Sequence, residues 1–137
     1  MRGREFTVGV LEGRPLPMVE LVVRRPFFDY CAKYEDGGTR YVTPVSLLPT
    51  LYRKACGAAV RAYAAMGCRH MARVDMIYGY DGALHLLEVN TIPGFTPRSL
   101  LPMAAAEAGV PFPALCDMLV RAAVREAALQ TARRRSA

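Results

Sequence analysis

The sequence predicts an α+β domain, an antiparallel sheet packed on one face by helices. Two turn signals between β-rich runs and one long apolar stripe at helical spacing carry that expectation. The first β-rich pair is Phe6, Val8 and Val10, then Val19, Leu21 and Val23, with Glu12-Gly13-Arg14-Pro15 as a turn between them, which reads as a hairpin. Residues 27–34, Phe-Phe-Asp-Tyr-Cys-Ala-Lys-Tyr, read as extended, and Glu35-Asp36-Gly37-Gly38 breaks the chain into a loop. A helix is predicted over 47–66. Its Leu48, Leu51, Tyr52, Ala55, Ala59, Ala62, Tyr63 and Met66 recur every three or four residues on one face. Gly67 stands where a helix-ending glycine belongs.

Two further strands, 71–78 and 83–90, are joined through Asp81-Gly82, the strongest two-residue hairpin signal because both positions tolerate positive φ. Residues 91–98 form an irregular loop. Ser99 is placed to cap a short helix over 100–108 that Gly109 ends. A last helix is predicted over 113–130, with Leu115, Met118, Leu119, Ala122 and Leu129 as its buried side.

The composition is that of a folded chain, 53% hydrophobic and 22% charged over 137 residues, enough for one domain around one core. No apolar run approaches the ~20 residues that cross a bilayer, and the first residues carry no apolar stretch of signal type. A cytoplasmic protein with no membrane partner is expected. Cys31, Cys56, Cys68 and Cys116 form no CxxC pair, and His70 and His85 form no HExxH, so neither a zinc site nor a disulfide framework is indicated. Much of the net charge of +6 is local, in Arg121, Arg125, Arg133, Arg134 and Arg135 against Glu126. The basic tail, about 126–137, reads as a solvated helix end whose cations suit the C-terminal dipole. No aromatic side chain interleaves it, and no nucleic-acid partner is expected. A basic binding module is the alternative.

The chemistry is concentrated in Ala72-Arg73-Val74-Asp75-Met76 and Leu87-Glu88-Val89-Asn90-Thr91-Ile92-Pro93-Gly94. With Asp81 and Gly82 as the turn, Asp75 faces Glu88 and Arg73 faces Asn90. Side chains alternate along a strand, so all four project from one face. Two carboxylates directly opposite each other destabilise a strand pair. A divalent cation between them would turn repulsion into attraction, and carboxylate and amide oxygens without histidine or thiolate suit Mg²⁺ or Mn²⁺. A metal–nucleotide site is therefore expected. The same spacing also fits a solvent-facing strand pair in which each carboxylate meets a nearby arginine, Arg73 included.

Several motifs occur in order: Glu5-Phe6-Thr7-Val8, Asp29-Tyr30 with Ala32-Lys33-Tyr34, Gly67-Cys68, Ala72-Arg73-Val74-Asp75, Glu88-Val89-Asn90-Thr91-Ile92-Pro93-Gly94-Phe95-Thr96 and Ser99-Leu100-Leu101-Pro102. Together they resemble the C-terminal part of D-alanine–D-alanine ligases of the ATP-grasp superfamily, from about residue 5 to about 125. The Asn-Thr-x-Pro-Gly loop followed by Ser-Leu is the narrowest of them. The resemblance implies that residues 1–137 are an ATP-grasp C-terminal domain truncated at its N-terminal side. Its implied partners are ATP, D-alanine and the missing N-terminal part of the ligase, and a family-type homodimer is compatible with it.

By the same resemblance, Asp75, Glu88 and Asn90 would hold two Mg²⁺ or Mn²⁺ ions, with Glu88 bridging. Arg73 would steady the transferred phosphoryl group. Lys33 would touch the ATP phosphates, Phe27 and Leu87 would border the adenine, and Glu5 would bond the ribose. The Gly94 N–H would form part of an oxyanion hole. Ser99 and the Leu100 N–H would take the carboxylate of the second D-alanine, a helix N-terminus being a ready anion site. Tyr34 resembles the dipeptide-forming branch rather than the alternative, a D-alanine–D-lactate enzyme. The implied reaction makes D-alanyl-D-alanine for bacterial peptidoglycan through an acyl phosphate, with this segment alone expected to be inactive. Cys31, Phe28 and Arg98 depart from the family's usual acidic residue, tyrosine and histidine.

Overall fold

Strand β1 (Gly3–Leu11) is the spine of the sheet. The computed structural model describes residues 2–23 and 39–135. Within them β1 pairs antiparallel with β2 (Arg14–Pro15) and β3 (Val19–Val23) along one edge, and with β5 (Met71–Gly79) along the other. The edge strand β4 (Thr39–Val42) joins β3, and β6 (Leu84–Asn90) joins β5, giving the order β4-β3-β1-β5-β6. The first expected hairpin is present, but its turn is Glu12-Gly13 alone, since Arg14 and Pro15, expected in the turn, pair with Leu11 and Val10. Strand β4 was not expected: four residues of Thr-Arg-Tyr-Val are too short a run to stand out, although Thr, Tyr and Val all favour strands. The expected extended run over 27–34 and the loop at 35–38 lie outside the described residues.

Helix α1 (Pro49–Ala65) begins at a proline, whose fixed φ and missing N–H suit a first turn. Its end is a Schellman motif: the Cys68 N–H bonds the Tyr63 carbonyl and the Gly67 N–H the Ala64 carbonyl, both at 3.0 Å. Gly67 takes the left-handed φ of 62° that this closure needs. The expected stripe is real in the middle of α1. Ala55, Ala59 and Tyr63 are buried against Phe6, Val8, Val10, Ala72, Val74 and Met76, and the two alanines let the helix approach the sheet closely. Leu48 and Met66, expected in the stripe, are exposed because they are the cap residues at either end.

Helix packing differs from the expectation of one covered face. Leu11 and Val19 point away from α1, and onto them pack Leu101, Ala104 and Ala105 of α2 (Leu100–Glu107) and Leu115 of α3 (Phe112–Arg135). Gly9 makes room for this layer, since a Cβ there would lie 3.0 Å from the Leu16 side chain. So α1 covers one face, α2 and α3 cover one end of the other, and the remainder of that second face carries Glu5, Thr7, Arg73 and Asp75.

Helix α3 runs further than expected, through the basic tail to Arg135. Leu115 and Ala122 are buried as foreseen, but Met118 and Leu129 are exposed. Past Ala122 the helix is held by charge instead of apolar contact. Arg125 bonds Glu12 at 2.9 Å, and Glu126 meets Arg69 and the His70 ring. Arg69 holds the Glu126 carboxyl below the ordinary carboxylate range. Among the described residues no single helix is long and apolar enough to cross a membrane.

Candidate functional site

The site face is built by the β5–β6 hairpin and the neighbouring β1. Its register pairs Asp75 with Glu88 and Arg73 with Asn90, as expected. The route to that register was not expected. The connection has three residues, Tyr80-Asp81-Gly82, closed by the Gly79 N–H on the Ala83 carbonyl at 2.9 Å, with Gly82 at φ 75°. This shifts the pairs near the turn by one, so Met76 faces Leu86. A bulge at the Asp75/Met76 step then restores them, and Leu87 is the extra residue. A three-residue turn and a bulge cancel, leaving the four polar side chains opposite one another.

Asp75 is held more tightly than the Glu88 it faces. Its Oδ1 accepts from Thr7 Oγ1 at 2.7 Å and from Arg73 Nε at 2.9 Å, and its Oδ2 accepts from Arg73 Nη2 at 2.7 Å. This is a bidentate fork of the strong charge-assisted kind. Both side chains are mostly shielded, at 17% and 16% exposure, whereas the Glu88 side chain is 62% exposed and only 3.9 Å from Arg73 Nη2. The hydrogen bond to Asp75 raises the Arg73 guanidinium pKa above its ordinary value; burial opposes this, and the charges of Asp75 and Glu88 add to it. Asn90 Oδ1 accepts the Ile92 N–H at 3.2 Å, which orients the amide at the end of β6.

Thr7 was not singled out by sequence reasoning. It is a buried polar residue in the otherwise apolar middle of β1, and its register partner across the sheet is Asp75. A hydroxyl at an inward position beside an acidic residue on the next strand is the signal that could have found it. Glu5 lies two residues away on the same face, opposite Ile77. Leu87 is half-exposed at the bulge. Phe27, Lys33 and Tyr34 lie outside the described residues.

Beyond Asn90 the chain turns into the loop that carries Gly94, Ser99 and Leu100. Ser99 is the N-cap of α2 by position, but its side chain does not cap the helix. Its Oγ instead accepts the Thr96 N–H at 3.0 Å and pairs with Thr96 Oγ1 at 2.9 Å, which corrects the expected capping bond. Pro102 has no N–H, so the backbone donors at the first three positions of α2 are those of Leu100 and Leu101. A Cβ on Gly94 would stand 3.2 Å from Ser99 Oγ, so the loop brings Gly94, Thr96 and Ser99 together.

The donors on this face are carboxylate and amide oxygens, the set that Mg²⁺ and Mn²⁺ take. Among the described residues no three His, Cys, Asp or Glu side chains are grouped so as to hold a metal ion by themselves. Asp75, Glu88 and Asn90 would supply only part of a shell, the case of an ion that draws its remaining ligands from phosphate and water. A shallow cavity of about 200 Å³ lies elsewhere, lined by Arg69, His70 and Glu126, and belongs to the α3 docking contacts.

Comparison with known proteins bears on this geometry. The family model described as D-ala D-ala ligase C-terminus matches residues 1–121. The chain is 46% identical over 121 residues to a D-alanine–D-alanine ligase of Syntrophotalea carbinolica, covering 88% of this chain and 39% of that enzyme. The D-alanine–D-alanine ligase of Bacillus anthracis, solved in complex with ATP, superposes with a TM-score of 0.77 at 37% identity, covering 91% of this chain and 41% of that one. The ligase from Coxiella burnetii superposes with a TM-score of 0.82 at 27% identity, covering 99% and 36%. The chain thus spans well under half the length of the ligases it matches.

Proposed function

The chain belongs to the D-ala D-ala ligase C-terminus family, and on that premise we propose that it supplies the metal- and nucleotide-binding wall of an ATP-dependent D-alanine–D-alanine ligase acting in the bacterial cytoplasm. The observation that carries this reading is the sheet face on which Asp75 lies opposite Glu88 and Arg73 opposite Asn90. Asp75, Glu88 and Asn90 would hold Mg²⁺ or Mn²⁺, which when bound neutralises phosphate charge. Arg73 would place its guanidinium against the phosphoryl group in transfer. Glu5 would bond the ribose and Leu87 border the adenine, with Phe27 and Lys33 completing the nucleotide contacts.

In the proposed reaction a carboxylate oxygen of the first D-alanine attacks the γ-phosphorus, and ADP leaves. The amine of the second D-alanine then attacks the acyl carbon, phosphate leaves, and the amine loses its proton as the peptide bond forms. Ser99 and the Leu100 N–H would hold the second D-alanine by its carboxylate at the start of α2. The Gly94 N–H would face the oxygen that gains charge as the amine adds. Tyr34 would favour D-alanine over D-lactate as the second substrate. In such chemistry the protein contributes positioning and electrostatics.

Ligand binding to the folded state alone tests the reading. Mn²⁺ with ATP at a hundredfold excess over Kd is expected to stabilise the chain by about 2.7 kcal/mol. That corresponds to a Tm rise of roughly 10 °C in a domain of this size. A Tm unmoved by Mn²⁺ and ATP together, in a chain that melts cooperatively, would contradict it.

A further inference from the structure

Every oxygen of Asp75 already has a donor, and the Arg73 fork is the donor that spans both. A cation that chelates Asp75 through both oxygens has to displace Arg73, and a phosphate that takes both Nε and Nη2 of Arg73 has to displace Asp75. We propose that this fork couples the two halves of the site. Arg73 stands in the cation's place on Asp75 until a polyphosphate draws it away, so each ligand prepares the site for the other. The inference rests on the metal–nucleotide reading above and deepens it.

The physical basis is that one disruption serves two ligands. Bound across the fork, either ligand alone breaks two charge-assisted hydrogen bonds and leaves one of the two charges without its partner. When both bind, Arg73 exchanges Asp75 for phosphate and Asp75 exchanges Arg73 for the cation. Coupling of this kind is reciprocal and commonly amounts to 5–150-fold. Glu88, more exposed and 3.9 Å from Arg73, takes no part in the fork.

Direct attraction between cation and phosphate gives cooperativity in any case, so the test isolates the fork with variants. Arg73→Lys keeps the charge, but an ammonium cannot span both oxygens as a guanidinium does. Mn²⁺ alone, followed by the electron paramagnetic resonance of the free ion, is expected to bind this variant about fivefold more tightly than the wild type. In the converse experiment, tripolyphosphate is titrated in EDTA. Asp75→Asn is expected to bind it more tightly than Glu88→Gln, although both remove one negative charge. Unchanged or weaker Mn²⁺ binding by Arg73→Lys, or equal tripolyphosphate binding by the two carboxylate variants, overturns the coupling. If Mn²⁺ and ATP together still bind the wild type in those cases, the site reading stands and only the coupling falls. If they do not bind at all, both fall.

Discussion

Supplied with ATP, Mg²⁺ and D-alanine, residues 1–137 by themselves are expected to form no measurable D-alanyl-D-alanine. They correspond to 39% of the Syntrophotalea carbinolica ligase and 41% of the Bacillus anthracis one. The candidate donors lie on a part of the sheet that no helix among the described residues covers, and on the proposed reading a second wall has to close over it. Holding the acceptor carboxylate in line with the γ-phosphate can contribute about 7–11 kcal/mol of the barrier. A face without that second wall forgoes most of that and admits water to an acyl phosphate. Adding the separately expressed remainder of the Syntrophotalea carbinolica ligase is expected to restore turnover, read as dipeptide by mass spectrometry. Dipeptide formed by residues 1–137 alone at about 1 s⁻¹ or faster, a rate ordinary for enzymes, would show that the described face needs no second wall.

The two carboxylates are expected to separate cleanly when each is neutralised. Glu88→Gln removes an exposed charge outside the Arg73 fork, so the ligand-free stability should change by no more than about 0.5 kcal/mol. The same change should erase the stabilisation of about 2.7 kcal/mol by Mn²⁺ and ATP. Asp75→Asn should erase that stabilisation too, and should also destabilise the ligand-free fold by about 1–3 kcal/mol. It leaves a shielded guanidinium without its bidentate partner and weakens the acceptor for a buried Thr7 hydroxyl. Urea unfolding with and without Mn²⁺ and ATP reads both effects. Equal ligand-free stability in the two variants would contradict the assignment of Asp75 as the held carboxylate and Glu88 as the exposed one.

The pairing of Asp75 with Glu88 was legible because alternation and an Asp-Gly turn constrain a hairpin strongly, yet it came out right for an incomplete reason. Nothing in Leu86-Leu87 distinguishes a bulge residue from a paired one, and Tyr80 gives no sign that it joins the turn. The two one-residue shifts cancelled only on the far side of the bulge, where the polar residues lie. The middle of α1 was legible because small apolar residues at helical spacing fit against a sheet. Its ends were not, since a cap residue shares the stripe's spacing without its burial. The second helical layer escaped because Leu11 and Val19 read equally well as facing either side. Met118 and Leu129 were misplaced because α3 leaves the apolar surface after Ala122 and continues on ion pairs to Glu12 and Arg69. Periodicity does not reveal such a change of partner. Sequence reasoning left two arrangements open, a cation between facing carboxylates or a nearby arginine for each; the structure gives Asp75 to Arg73 and Thr7 and leaves Glu88 exposed, 3.9 Å from Arg73.

The most direct test of the metal–nucleotide face is the paramagnetic effect of Mn²⁺ with ATP on the amide resonances of the ¹⁵N-labelled chain, referenced to Mg²⁺ with ATP. Selective broadening of Thr7, Arg73, Asp75, Glu88 and Asn90 is expected, with Glu12, Arg125 and Glu126 at the α3 docking contacts left sharp. Broadening centred on Glu12 and Glu126, or no selective broadening anywhere, would contradict the assignment of the ion to this face.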